Sequence, residues 1–129
     1  MVWVTAVVLV ALLQYMALGI AVGMARGRFG IHAPATTGHP TFERLFRAHQ
    51  NTLEMLVAFV PGVWLYGLYI SQTWAMWLGI VYIAARFLYV FQYVRDPKTR
   101  EIGAGLSFLI VIILIVGNLY GVVRIVMTR

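Results

Sequence analysis

Residues 106–127 read LSFLIVIILIVGNLYGVVRIVM and carry a single charge, Arg124. A helix of that length rises about 33 Å at 1.5 Å per residue. That is enough to cross the roughly 30 Å of hydrocarbon in a bilayer. Residues 110–116 are apolar at every position. A membrane-barrel strand alternates polar and apolar residues, so this run does not fit one. A helix suits it, because a helix satisfies its own backbone groups in lipid. Working outward, residues 2–24, 53–70 and 74–94 form three further apolar runs of similar length. The chain has 129 residues, 62% hydrophobic and 11% charged, far too apolar for a water-soluble domain of this size. These runs predict an all-α integral membrane bundle of four helices, one domain over residues 1–129.

The first run has no basic residue ahead of it and is too long for a signal-peptide core, so it reads as a mature span. The chain has no cysteine, which removes disulfides, zinc–thiolate sites and a cysteine nucleophile. Any thiol chemistry must use a thiol that the substrate brings. His32, His39 and His49 share no metal-ligand spacing, so no metal site is expected and the loop histidines read as solvated.

Charge sets the orientation. Arg26, Arg28, Arg44 and Arg47 follow the first span, and Arg95, Lys98 and Arg100 follow the third. Ser71-Gln72-Thr73, between spans two and three, has no charge. Basic loops favour the cytoplasm, which puts both termini on the other side. The net charge of +6 is dispersed around the spans without a nucleic-acid motif, so no nucleic acid is expected as a partner.

Residues 25–40 are rich in Gly, Pro, Thr and His and read as an irregular loop. Thr41 reads as the N-cap of helix two, with Glu43 in its first turn. Pro61 predicts a kink in that helix. Asp96-Pro97 reads as an N-cap followed by proline at the first helical position, which starts helix four with Lys98 and Arg100 in its opening turns. Gly103 and Gly105 predict close approach of a neighbouring helix, and Asn118 a polar contact between spans.

Polar residues at the start of helix two point to function. Arg47, Asn51 and Glu54 follow one another at steps of four and three, which places them on one helical face. A cation, an amide and an anion at the edge of a bilayer suit a ligand carrying both signs of charge. Helix three bears Tyr82, Arg86, Tyr89 and Tyr93 at steps of four, three and four. Two readings stand for the tyrosines: an interfacial aromatic belt, or a wet groove within the bundle. Arg86 either serves that groove or pairs with Glu54 to hold helix two to helix three. Arg100, in an opening helical turn, is either a positive-inside anchor or a cation placed to stabilise a thiolate or carboxylate. Arg26 has the same two readings.

The stretch from Ala25-Arg26 through Thr36-Thr37-Gly38, Phe42-Glu43-Arg44, Arg47-Ala48, Asn51 and Glu54 resembles a known family. The likeness continues through Val81-Tyr82, Ala85-Arg86, Tyr89, Gln92-Tyr93 and Arg100. The family is the membrane-associated proteins in eicosanoid and glutathione metabolism, which includes microsomal glutathione transferases and leukotriene C4 synthase. His49 and Met55 depart from the leukotriene synthase branch, which has glutamine and tyrosine there. The resemblance implies a homotrimer with glutathione sites between subunits, open to the cytoplasmic side. It implies that Arg47, Asn51, Glu54, Tyr89 and Tyr93 hold glutathione from one subunit and Arg26 from the next. It implies that Arg100, also from the adjacent subunit, activates the thiol. The partner substrate would be a lipophilic electrophile or a lipid hydroperoxide entering from membrane lipid.

That resemblance implies a glutathione transferase, with peroxidase or isomerase activity open to the same thiolate. The alternative within the family is a non-catalytic lipid-binding member. A small four-span transporter is a poorer fit, because the first span has only Gln14 as a strongly polar side chain and no acidic residue.

Overall fold

The computed structural model describes residues 1–96, 98 and 101–129. Four helices follow one another: α1 Val2–Phe29, α2 Pro40–Tyr69, α3 Gln72–Arg95 and α4 Glu101–Met127. All four are long and apolar enough to cross a membrane.

The ends of the elements correct the sequence reading in two places. Helix α1 runs on past Met24 and takes Arg26 and Arg28 into its last turn. Cations there oppose the partial negative charge of the helix C-terminus. Gly30 ends the helix at φ 66°, a left-handed conformation that costs glycine nothing. The Ile31 amide then returns to the Arg26 carbonyl at 2.9 Å. The irregular loop is therefore shorter than residues 25–40.

The N-cap of α2 is His39, two residues earlier than the expected Thr41. Its Nδ1 accepts a hydrogen bond from the Thr41 amide at 3.2 Å. Pro40 then fills the first helical position, where its missing N–H has no cost. The His39 ring also stacks on Phe29 at 3.8 Å. An unprotonated imidazole nitrogen thus does what a serine or aspartate oxygen does at other caps, and His39 is not a solvated loop residue. Glu43 lies in the first turn as expected, and α2 continues unbroken through Pro61.

Helix α3 is capped by Ser71, whose Oγ accepts from the Trp74 amide at 3.3 Å. Beyond α3, the Asp96 carboxylate accepts from the Lys98 amide at 3.1 Å, the bond expected of an N-cap aspartate. Pro97, Thr99 and Arg100 lie outside the described residues, and so does the predicted first turn of helix four.

One apolar core joins all four helices. It includes Val4, Val7 and Ala11 of α1, Phe59 and Val63 of α2, Tyr82 of α3, and Ile110 and Leu114 of α4. Phe59 and Tyr82 stack at 3.7 Å in its centre. Tyr82 therefore belongs to a dry core and lines no wet groove. A Cβ on Gly103 would lie 2.6 Å from the Tyr89 backbone nitrogen, so α3 and α4 meet backbone to backbone there. Gly105, read as equivalent, faces open space. Asn118 makes the expected contact between spans, donating from Nδ2 to the Gly62 carbonyl at 2.9 Å.

The outer surface is as apolar as the core. Ile20, Val57, Phe87 and Leu119 are each more than 60% exposed. In water such a surface would aggregate, whereas in lipid it is matched to its solvent. Helix order sets the polarity of the bundle. The Met1 ammonium donates to Gln72 Oε1 at 2.8 Å, so the N-terminus shares one end with the uncharged α2–α3 turn. Arg44 reaches the Val94 carbonyl at the opposite end, where the basic loops gather.

Candidate functional site

Helix α2 divides its side chains between three surroundings. Phe42 and Phe46 lie beneath the Arg26 guanidinium of α1, with Arg26 Cζ 4.9 Å and 6.0 Å from the two ring centroids. Ala48 and Thr52 are buried, with Ala48 packed against Tyr89 and Tyr93 of α3. Arg47 and Glu54 are exposed on the remaining face. Asn51 stands at the border, half-buried, between the second surface and the third.

At that border lies Arg86, only 1% exposed. Its Nη2 donates to Asn51 Oδ1 at 2.9 Å and to Thr52 Oγ1 at 2.7 Å. Its Nη1 donates to Ser107 Oγ of α4 at 3.2 Å. Its Cζ lies 4.2 Å from the centroid of the Tyr89 ring. The hydroxyl protons point away from the cation. Thr52 donates to the Ala48 carbonyl at 2.8 Å, and Ser107 donates to the Gly103 carbonyl at 2.9 Å. Both oxygens therefore offer lone pairs to Arg86.

This resolves the two readings of Arg86. Among the described residues it has no ion pair with Glu54. It ties α3 to α2 and α4 through neutral acceptors instead. Thr52 and Ser107 were not singled out in the sequence. Their signals were faint: Thr52 adjoins Asn51, and Ser107 follows Gly103 by one turn.

The predicted site residues are thus partly assembled within one chain. Asn51, Tyr89 and Arg86 meet, and Tyr93 stacks on Tyr89 at 5.6 Å. Both tyrosines are 5% exposed and packed on Ala48 and Ala104, so within the single chain they do not form an exposed aromatic belt. Arg47 and Glu54 flank Asn51 on the outer face. Arg26 is engaged elsewhere, donating from Nη1 to the Ala35 carbonyl at 2.6 Å. Arg100 lies outside the described residues. His49, beside the stripe, stacks on Tyr15 of α1 at 4.5 Å and belongs to the α1–α2 packing. Among the described residues no cluster of three metal-ligating side chains forms.

The family profile described as "MAPEG family" matches residues 4–120. The chain belongs to the MAPEG family. An uncharacterized protein of Synechocystis sp. is 40% identical over 120 residues, which cover 93% of this chain and 88% of that protein. Human microsomal glutathione S-transferase 2 is 40% identical over 102 residues, covering 79% of this chain and 69% of the relative. Mouse leukotriene C4 synthase is 34% identical over 94 residues, covering 73% of this chain and 63% of the relative. A four-helix membrane protein of this family is therefore the frame for any account of the site.

Proposed function

We propose that this protein is a membrane-bound glutathione transferase that joins the glutathione thiol to lipophilic electrophiles. The observation that carries the proposal is the outer face of α2. There a cation, an anchored amide and an anion follow one another at Arg47, Asn51 and Glu54. Glutathione has two carboxylates, an ammonium and a thiol. An arginine fork matches a carboxylate, and Glu54 matches the ammonium. Membership of a family that includes a named glutathione transferase at 40% identity supports the same ligand.

Bound glutathione supplies the nucleophile, a thiol that is mostly protonated at neutral pH with a pKa of about 8.5. The chain's part is to hold and orient the peptide and to stabilise its anionic sulfur. Arg100 is assigned that last role, since a nearby cation raises the thiolate fraction. Tyr89 and Tyr93 complete the wall behind Asn51. The electrophile arrives through lipid, which the apolar surface of the helices favours. Reduction of lipid hydroperoxides by the same thiol is the second activity assigned.

We assign a homotrimer, with the site between subunits on the cytoplasmic side and Arg26 and Arg100 contributed by the neighbour. Supporting this, Arg47 and Glu54 share their exposed face with Leu53 and Val57, which are 46% and 69% exposed. Charges on such a face are costly against lipid unless another protein surface covers them.

Calorimetry in mild detergent tests the reading. Glutathione should bind the wild type, and Arg47→Ala and Glu54→Ala should each weaken it about tenfold to a hundredfold, the range for a lost charged hydrogen bond. Turnover should follow with a panel of electrophiles and lipid hydroperoxides. Unchanged affinity in both variants would remove this face from the site. Binding without turnover would favour the non-catalytic alternative.

A further inference from the structure

We propose that Arg86 is a positioning residue that fixes which way the Asn51 amide faces, and so makes Asn51 a hydrogen-bond donor to the ligand. The proposal rests on the glutathione reading and adds a residue that does not itself touch glutathione.

An asparagine amide has one acceptor end and one donor end, and an arginine has only donors. The atom of Asn51 that faces Arg86 must therefore be its oxygen, and the 2.9 Å contact is Nη2–H to Oδ1. A flip of the amide would set two donor groups against each other beside a buried cation. The Nδ2 group is thereby directed away from Arg86. It donates to none of the described residues, and it is not among the polar atoms sealed from the surface without a partner. Asn51 itself stands between Arg47 and Glu54 along α2, one helical turn from each.

The surrounding bonds run in one direction. Thr52 and Ser107 spend their protons on backbone carbonyls and leave lone pairs for Arg86. No carboxylate among the described residues neutralises the guanidinium. Its charge therefore acts on three neutral side-chain acceptors and on the Tyr89 ring, and among the three acceptors Asn51 is the half-buried one, Thr52 and Ser107 being buried. A cation bound to the oxygen of an amide withdraws electron density from its nitrogen, and linked hydrogen bonds strengthen one another. Asn51 is thus both oriented and polarised to donate to an acceptor oxygen, a carboxylate or amide carbonyl of the bound peptide.

A glutathione-affinity cycle tests this, with Arg86→Met, Asn51→Ala and the double variant measured by calorimetry in detergent. Arg86→Met should weaken glutathione about tenfold in the Asn51 background, the range for losing a well-placed donor. In the Asn51→Ala background the same change should alter affinity less than about twofold. Where Arg86→Met does not fold, Arg86→Gln, whose amide offers both a donor and an acceptor and so no longer dictates the Asn51 orientation, takes its place in the cycle. Asn51→Asp supplies a second readout. Its carboxylate satisfies Arg86, so the melting temperature should hold or rise, while the lost outward donor should weaken glutathione about tenfold or more. A merely structural arginine gives equal losses of affinity in both backgrounds and overturns the positioning role, as does wild-type affinity in Asn51→Asp. A wild type that binds no glutathione overturns the functional reading instead, and the donor role with it.

Discussion

Gly103 and Gly105 offer a test of the site's scaffold in which the chemistry of the substitution is constant. Both lie in α4, two residues apart, and Gly→Ala adds one methyl group at each. Helix propensity favours alanine by about 1 kcal/mol at either position, so this contribution cancels between them. At Gly105 the new methyl meets nothing within 4 Å. At Gly103 it would lie 2.6 Å from the Tyr89 nitrogen, 2.7 Å from the Tyr89 Cα and 2.9 Å from the Ala85 carbonyl oxygen. These are backbone atoms and cannot rotate away. Relief to an ordinary carbon contact of about 3.5 Å requires α3 and α4 to separate by roughly 1 Å. Overpacking of that kind costs about 1–3 kcal/mol.

The separation also reaches Arg86. Its bond to Ser107, one turn along α4, is already 3.2 Å long. A further ångström carries it past the roughly 3.5 Å at which a hydrogen bond ceases to count. Leaving that buried donor unmet adds about 1–3 kcal/mol. We expect Gly103→Ala to be about 3 kcal/mol less stable than wild type, and Gly105→Ala to be stabilised by up to about 1 kcal/mol. Denaturant titration of both variants in one detergent, followed by helix content, measures the difference. Equal stability of the two variants would show that α3 and α4 do not meet backbone to backbone at Gly103, and the account of Ser107 as an anchor for Arg86 would fall with it.

Three further outcomes are expected. Arg100→Ala should lower turnover far more than glutathione affinity and raise the apparent thiol pKa towards about 8.5; thiolate absorbance against pH measures it, and equal pKa and turnover would make Arg100 an orientation anchor. Asn118→Leu should destabilise by no more than about 1 kcal/mol, because interhelical hydrogen bonds in membranes are weak and its Oδ1 has no partner to lose; the same denaturant titration reads it, and a loss above about 3 kcal/mol would contradict the assignment. Native mass spectrometry in mild detergent should show a trimer, and only monomers or dimers would remove the neighbour that Arg26 and Arg100 need.

The spans were legible because length and apolar content decide them without reference to neighbours. Binding faces were legible only as faces. Steps of four and three put Arg47, Asn51 and Glu54 on one side of α2, but no spacing says whether that side meets protein or lipid. The structure turns it outward and leaves Asn51 on the border. The tyrosine stripe shows the same gap: Tyr82, Tyr89 and Tyr93 align as read, yet they are packed in the bundle, since burial depends on what α2 and α4 bring against them. Gly103 and Gly105 were indistinguishable as letters. Two residues turn a helix by about 200°, so only one of them can face α3. His39 escaped because an imidazole is not an expected cap, and its role rests on the neighbouring Pro40 and on Phe29 across the loop.

The placement of Arg86 explains why a costly group is kept in the middle of a membrane bundle. Replacing a buried polar network with apolar residues of similar volume is often neutral or stabilising. Interhelical adhesion alone is therefore a weak reason to bury an arginine against neutral oxygens. A requirement at the surface is a stronger one. In the proposed site, α2 presents an amide whose donor end stays outward beside Arg47 and Glu54, and an unanchored asparagine would turn freely. An aspartate or glutamate partner behind Asn51 would fix the amide the other way round, oxygen outward. A lysine would offer one charged group where three acceptors on three helices must be met together. The planar fork of arginine reaches Asn51, Thr52 and Ser107 at once, so the group that orients the candidate site is also the one that holds α2, α3 and α4 in register.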